Sequence, residues 1–376
     1  MSKQHHGARE PLFVISKRDS CGFLKACLIR LAAIVLALGV CAVVIFALTG
    51  LNPLEVYSGI ISGAVGSNRR LWVTIRDALV LLCIAVAITP AFRMRFWNIG
   101  AEGQTLIGGL ATAAIMINLG DKVSSPVLFL LMILASVIAG MIWGVIPAFF
   151  KAKWNTNETL FTLMMNYIAT QLVAFCIVFW ENPAGSNSVG IINSATKAGW
   201  LGELFGQKYG WNVVIVLTLA IFMYVYLRYS KQGYEIAYVG QSVKTARYAG
   251  INVTSYKYLA TCIGGAICGL GGLYFVMEYS GGTWTNNGFG DRGWLAIALV
   301  IFARWNPLHA IWGSILFGAL YILYLYIPGL GRSMQEIFKM LPYIVTIVVL
   351  VLTSLRKKKE DQPPESLGLA YFREER

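Results

Sequence analysis

The stretch Leu28–Thr49 reads LIRLAAIVLALGVCAVVIFALT, apolar throughout apart from Arg30 at its edge. A helix crosses the bilayer core with roughly 20 apolar residues, so a run of this length reads as a membrane span. The basic residues ahead of it, Lys17, Arg18 and Lys25, also describe the start of a secretory signal. The apolar run is too long for a typical signal core, and further runs follow, so the expectation is an uncleaved first span. Comparable runs lie near 71–90, 98–119, 126–149, 158–180, 212–229, 258–277, 290–303, 308–327 and 339–355. The sequence thus predicts an all-α integral membrane protein of about ten transmembrane helices. The run at 290–303 is the weakest, strictly apolar only from Leu295 to Ala303. A re-entrant segment there would change the count to nine or eleven. The expected layout is a tail at 1–27, a membrane domain at 28–355 and a tail at 356–376.

Composition agrees with a membrane chain. Hydrophobic residues make up 57% and charged residues 13%, against about 25% charge in soluble domains. The formal charge of +13 does not form a phosphate-binding face, because the basic residues sit in short connections between apolar runs, so no nucleic-acid partner is expected. With the N-terminus inside, inner segments hold 22 of the 31 Lys and Arg residues, including Arg356-Lys357-Lys358-Lys359. That bias predicts an even number of spans with both termini cytoplasmic. The seven cysteines form no CxxC pair, and His5, His6 and His309 are scattered, so neither a disulfide framework nor a metal site is expected. GxxxxGK[ST], HExxH and GxSxG are all absent from the sequence. Catalytic residues and a cofactor are therefore not expected in this chain, and any ATP chemistry belongs to another polypeptide.

Two interruptions stand where apolar runs should begin. One is Phe96-Trp97-Asn98-Ile99-Gly100-Ala101-Glu102-Gly103-Gln104, approached from inside. The other is Thr285-Asn286-Asn287-Gly288-Phe289-Gly290-Asp291-Arg292-Gly293, approached from outside. Opposed broken segments of this kind point to an inverted internal repeat around a central pathway. The alternative is a pair of interfacial turns that cap the next helix. Asn98, Glu102, Gln104, Asn286, Asn287 and Asp291 are accordingly candidate pathway residues. Glu158, Thr162, Asn166 and Thr170 recur every four residues and so share one helix face. This stripe either lines a polar conduit, with Glu158 and Asn166 as candidates, or supplies interhelical hydrogen bonds. Glu158 could instead be a first-turn acid behind a Thr156 cap. Gly264-Gly265, Gly269 and Gly271-Gly272 read as a face for close helix packing. Residues Val243 to Ala249 form a candidate short basic helix closed by Gly250, with Ala246 and Ala249 giving a low-relief surface. That helix docks on a partner or lies near anionic headgroups.

These segments resemble a known family. Phe96–Gln104 is similar to the NIGxEGQ motif of the branched-chain amino acid, simple sugar and nucleoside permeases of ABC importers. Asn157-Glu158 with Thr162-Leu163-Met164-Met165-Asn166-Tyr167-Ile168 resembles the NE…TLMLNYI segment of the nucleoside and simple-sugar branch. Gly233-Tyr234-Glu235-Ile236 through Val239-Gly240 to Ala246-Arg247-Tyr248-Ala249-Gly250-Ile251-Asn252 resembles the family's cytoplasmic loop. Gly288-Phe289-Gly290, Ala296–Val300 and Trp305-Asn306-Pro307 resemble its late motif. Ala237-Tyr238, Gln241–Thr245 and Asp291–Trp294 depart from those patterns.

The resemblance implies a type II importer fold in a bacterial plasma membrane. It implies a separate ATPase that binds ATP and Mg, a second permease, different or identical, and an extracytoplasmic substrate-binding protein. Membrane lipids complete the set of partners. Gly240, Ser242, Ala246, Arg247, Ala249, Gly250 and Asn252 would then mark the coupling segment seated on the ATPase. The cargo implied is a nucleoside, or a simple sugar. A secondary transporter using Glu102 and Glu158 as ion-coupled carboxylates is the competing class. A multi-span membrane enzyme ranks behind both, for want of a nucleophile–base pair.

Overall fold

The computed structural model describes residues 52–327 and 331–347, preceded by residues 39, 42, 43, 45–47 and 50. The expected tails, most of the span at 28–49 and the end of the last span lie outside the described residues. The chain divides into two compact units, Met1–Gly59 and Ile60–Arg376. The first contributes the opening of α1 (Pro53–Val65), a helix in a stretch to which the sequence reading assigns no element. The second holds everything that follows.

Local chemistry sets the helix boundaries. The Ser67 hydroxyl accepts from the Arg70 amide, 3.3 Å, to open α2 (Asn68–Arg93). α3 (Ala101–Leu119) begins directly after the glycine-containing interruption. α4 (Ser125–Trp154) starts with Pro126 in its first turn, where a missing N–H costs nothing. It ends at Asn155 in the left-handed region, φ 51°. α5 (Glu158–Trp180) is capped by Asn157, whose side chain accepts from the Thr159 and Leu160 amides. The cap is therefore Asn157 and not Thr156, because the chain turns helical one residue later than expected. α6 (Gly210–Tyr229) leads to α7 (Lys231–Gln241), α8 (Val243–Tyr248) and α9 (Val253–Tyr274), which continues into a π-turn at Phe275–Tyr279. α10 (Arg292–Phe302), α11 (Pro307–Ile322) and α12 (Arg332–Lys339) follow, and residues 341–347 are again helical.

Among the described residues, five helices are long and apolar enough to cross a membrane: α2, α4, α5, α6 and α9 with its π-turn. α10 is not one of them. Its 11 residues rise about 16 Å, roughly half a bilayer core. α3 has the length but opens with the polar residues Glu102, Gln104 and Thr105, all buried. The apolar cores of α2 and α9 are 72% buried, against 22% for α4, so α2 and α9 are central and α4 is peripheral.

The small residues of α9 explain that centrality. A Cβ on Gly265 or Gly269 would strike the α4 backbone at Gly140 or Ser136, and one on Gly272 would strike α3 at Thr105 and Gly109. The glycine face is thus a packing face, where van der Waals contact replaces the hydrophobic drive that lipid cannot supply.

The all-α expectation omits one element. β1 (Ser188–Ile191), in the outer connection, pairs antiparallel with β2 (Thr283–Thr285), just ahead of α10. Ile192 N–H donates to Gly282 O and Asn286 N–H to Asn187 O, extending the ladder at both ends. Trp284, 2% exposed, fixes β2 in the core.

Candidate functional site

The two interrupted segments meet. Glu102, in the first turn of α3, accepts from the Gly293 amide in the first turn of α10 at 2.6 Å. Contact is close enough that a Cβ on Gly293 would collide with the Glu102 backbone. Two helix N-termini thereby meet, with the first-turn carboxylate of α3 accepting from a first-turn amide that α10 itself leaves unpaired.

Asn166 of α5 locks the first interruption. Its Oδ1 accepts from Gly103 N–H at 2.8 Å and its Nδ2 donates to Ile99 O at 2.9 Å. Both groups belong to backbone that the helix start leaves unpaired, so one buried amide satisfies a donor and an acceptor together. Asn98 Oδ1 accepts from the Gly100 amide, 3.1 Å, and from Gln104 Nε2, 3.0 Å. Asn98 and Gln104 therefore shape the turn from inside the protein and are each only 1% exposed.

A cavity of about 430 Å³ opens beside this junction. Glu102 and Leu106 of α3 form one side, and Asn166, Tyr167, Thr170 and Val173 of α5 a second. Thr285, Asn286, Asn287, Phe289, Gly290 and Asp291, with Trp294, form the third. The structure thus brings together five of the eight candidate pathway residues: Glu102, Asn166, Asn286, Asn287 and Asp291. It separates the other three. Asn98 and Gln104 are internal, and Glu158 is ion-paired to Lys151 at 2.9 Å in a different cleft. The α5 stripe divides accordingly. Thr162 and Thr170 donate to Glu158 O and Asn166 O of their own helix, at 2.8 and 3.0 Å.

Behind the third wall lies a charged group that the sequence reading passes over. Asp77 of α2, 1% exposed, pairs with Arg76 at 3.1 Å and Arg292 at 3.4 Å, and accepts from Tyr279 Oη at 2.8 Å. Arg292 also donates to Phe289 O and Tyr279 Oη, and its guanidinium covers the rings of Tyr279 and Tyr321 at 4.4 and 4.9 Å. The same arginine therefore holds the cavity wall at Phe289 and faces away from the cavity. A lone acid inside an apolar run was the available signal, since intramembrane charges are costly unless partnered.

A family model described as Branched-chain amino acid transport system / permease component matches residues 71–350. The chain belongs to that permease family. Among similar proteins, the nucleoside ABC transporter permease NupB of Lactococcus lactis is 24% identical over 78% of this chain and 82% of its own. The guanosine ABC transporter permease NupP of Bacillus subtilis is 26% identical, over 88% and 94%. The glucose ABC transporter permease TsgB13 of Haloferax volcanii is 26% identical, over 90% and 88%. The permease is a multi-pass membrane transport subunit, not an enzyme.

The candidate coupling residues of this permease form one turn-and-helix unit. Ser242 caps α8 by accepting from the Thr245 amide, 3.2 Å, and Asn252 caps α9 by accepting from Ser255, 3.2 Å. Gly250 takes φ 78°, the left-handed geometry expected of it after Ala249. Gly240 is buried where a side chain would strike Arg93 O. Ala246 is also fully buried. It faces inward, so the presented surface is Lys244, Arg247, Tyr248 and Ala249, with Tyr248 92% exposed. Ala246 thus sets how closely α8 sits on its own chain.

Proposed function

We propose that this permease passes nucleosides, or simple sugars of similar polarity, through the cavity between α3, α5 and the Thr285–Asp291 wall. The observation that carries the reading is the lining itself, which combines amides, a hydroxyl pair and the rings of Tyr167, Phe289 and Trp294 where two helices start. Ribose hydroxyls match asparagine and threonine, and a flat base matches aromatic faces. Lining of this kind at a volume of a few hundred Å³ suits a small polar ligand. The names of the relatives support the same cargo classes.

A separate ATPase supplies the energy. It docks on the exposed face of α8, while an external binding protein delivers cargo to the side bearing β1 and β2. The Lys and Arg distribution supports α7 and α8 facing the cytoplasm, with both termini on that side. A second permease, identical or different, completes the pathway. The ion-coupled alternative is less well supported, because Glu102 is bound to the Gly293 amide and Glu158 to Lys151.

The test is uptake of labelled purine and pyrimidine nucleosides, ribose and galactose by cells with and without the gene. Selective loss of nucleoside uptake is expected. Loss of sugar uptake alone changes the cargo, and uptake that survives loss of ATPase activity yet collapses with an ionophore overturns the ATP-driven reading.

A further inference from the structure

A second cleft, about 300 Å³, lies behind α8. It is bounded by the connection after α2, the end of α4, the start of α5, the α7–α8 junction and the second turn of α9. Three cations line it, Arg95, Lys151 and Lys257, against one carboxylate, Glu158, together with the polar side chains of Gln241 and Ser242. Glu158 is already neutralised by Lys151 at 2.9 Å. Among the described residues neither Arg95 nor Lys257 forms an ion pair, so the cleft carries two uncompensated positive charges. Arg95 is the left-handed residue, φ 58°, that closes α2, with its own N–H on Phe92 O and the next N–H on Ala91 O, so the helix end fixes where its side chain leaves the backbone.

We infer that this cleft binds a phosphate group, either of an anionic lipid headgroup or of a free phosphate. Arg95 and Lys257 supply its charge recognition, and Ser242 and Gln241 are neutral donors at its rim. Basic pockets between membrane helices recognise headgroups by this chemistry. A bound phosphate would bridge the α2–α3 connection and α9 to the cap of α8. It would therefore stiffen the mounting of that helix without touching the transport cavity. The inference is independent of which solute the cavity passes.

The test uses the full chain in nanodiscs of phosphatidylcholine with a minority of phosphatidylglycerol, followed by native mass spectrometry to count retained lipids. The wild type is expected to retain phosphatidylglycerol selectively. The Arg95→Gln, Lys257→Gln double variant is expected to lose that selectivity by roughly tenfold, since both cations that recognise the headgroup charge are removed. Gln241→Glu, at an exposed position on the rim, should weaken it several-fold. In a second arm, inorganic phosphate is titrated against chloride at matched ionic strength in phosphatidylcholine-only discs, and the thermal midpoint is read. Lipid selectivity lost on substitution, with no phosphate response, assigns the headgroup. A phosphate-dependent rise in midpoint confined to the wild type, with equal lipid retention, assigns free phosphate. Wild-type lipid selectivity and phosphate response in Gln241→Glu and in the double variant would overturn the site. If the double variant does not fold, Gln241→Glu decides alone on the same two readouts.

Discussion

Replacing Asn166 by alanine tests whether the first interruption is held as a single hydrogen-bonded unit. The wild-type amide satisfies Gly103 N–H at 2.8 Å and Ile99 O at 2.9 Å, and the residue is 3% exposed. Alanine would strand both groups. Each stranded buried group costs about 1–3 kcal/mol, and hydrogen bonds within membranes fall toward the low end, so the expected loss is roughly 2–4 kcal/mol. Asn166→Asp separates the two bonds. It keeps an acceptor for Gly103 but turns an oxygen toward the Ile99 carbonyl, so it should lose at least as much as one bond is worth. The assay is thermal unfolding of the full chain in detergent, followed by helix content, with uptake measured in parallel. At about 2 °C per kcal/mol for a large domain, Asn166→Ala should melt roughly 4–8 °C lower. An alanine variant that melts with the wild type but fails to transport would refute the clamp and leave only a pathway role.

The remaining predictions concern three other places. Asp77→Ala leaves Arg292 and Arg76 buried without a carboxylate, which should cost about 3–5 kcal/mol by breaking a buried pair, read as a lower melting point and poor membrane yield. Asp77→Asn retains the size and an acceptor, so partial recovery relative to alanine is expected. Gly269→Val drives a branched side chain into the Ser136 backbone of α4 and should prevent accumulation of folded protein, whereas Gly202→Ala, with open space around it, should be silent in the same expression assay. Arg247→Ala and Tyr248→Ala lie on the exposed face of α8 and should leave the melting point within about 0.5 kcal/mol of wild type. Both should lower uptake per ATP hydrolysed in the assembled transporter, and unchanged coupling in the pair would count against docking on α8.

The long spans were legible because lipid imposes a length and a composition that few other structures need. α2, α4, α5, α6 and α9 all fall on apolar runs visible in the sequence. The broken segments were legible too, as polar and glycine residues where an apolar run should continue. What periodicity could not reveal was direction. Asn98, Gln104 and Asn166 carry the same amide, yet two point into the protein and one borders the cavity as well as clamping it. Ala246 suits a docking surface by size alone, but small residues suit close internal packing equally, and here the side chain is buried. β1 and β2 were invisible because pairing across roughly a hundred residues leaves no local pattern, and a strand of three or four residues is too short to show alternation.

The contrast between the two sides of the cavity follows from how each is held. α3 is packed backbone to backbone against α9, with a Cβ at Gly108 or Gly272 meeting the facing helix, so this side can shift only if both helices move. The Thr285–Asp291 wall is held by a short ladder to β1, by Trp284, and by Arg292, whose anchors come from α2, the π-turn and the ring of Tyr321. Its outer attachment is to the connection that carries β1, and its inner attachment is to Asp77. A force applied to β1 therefore reaches Asn286 directly through the main-chain bond to Asn187. Cross-linking Asn187 to Asn286 as a cysteine pair should leave ATP hydrolysis by the assembled transporter intact and block uptake, with release by reductant. Uptake that persists in the oxidised state would mean that the wall stays fixed during transport and that the α3 side moves instead.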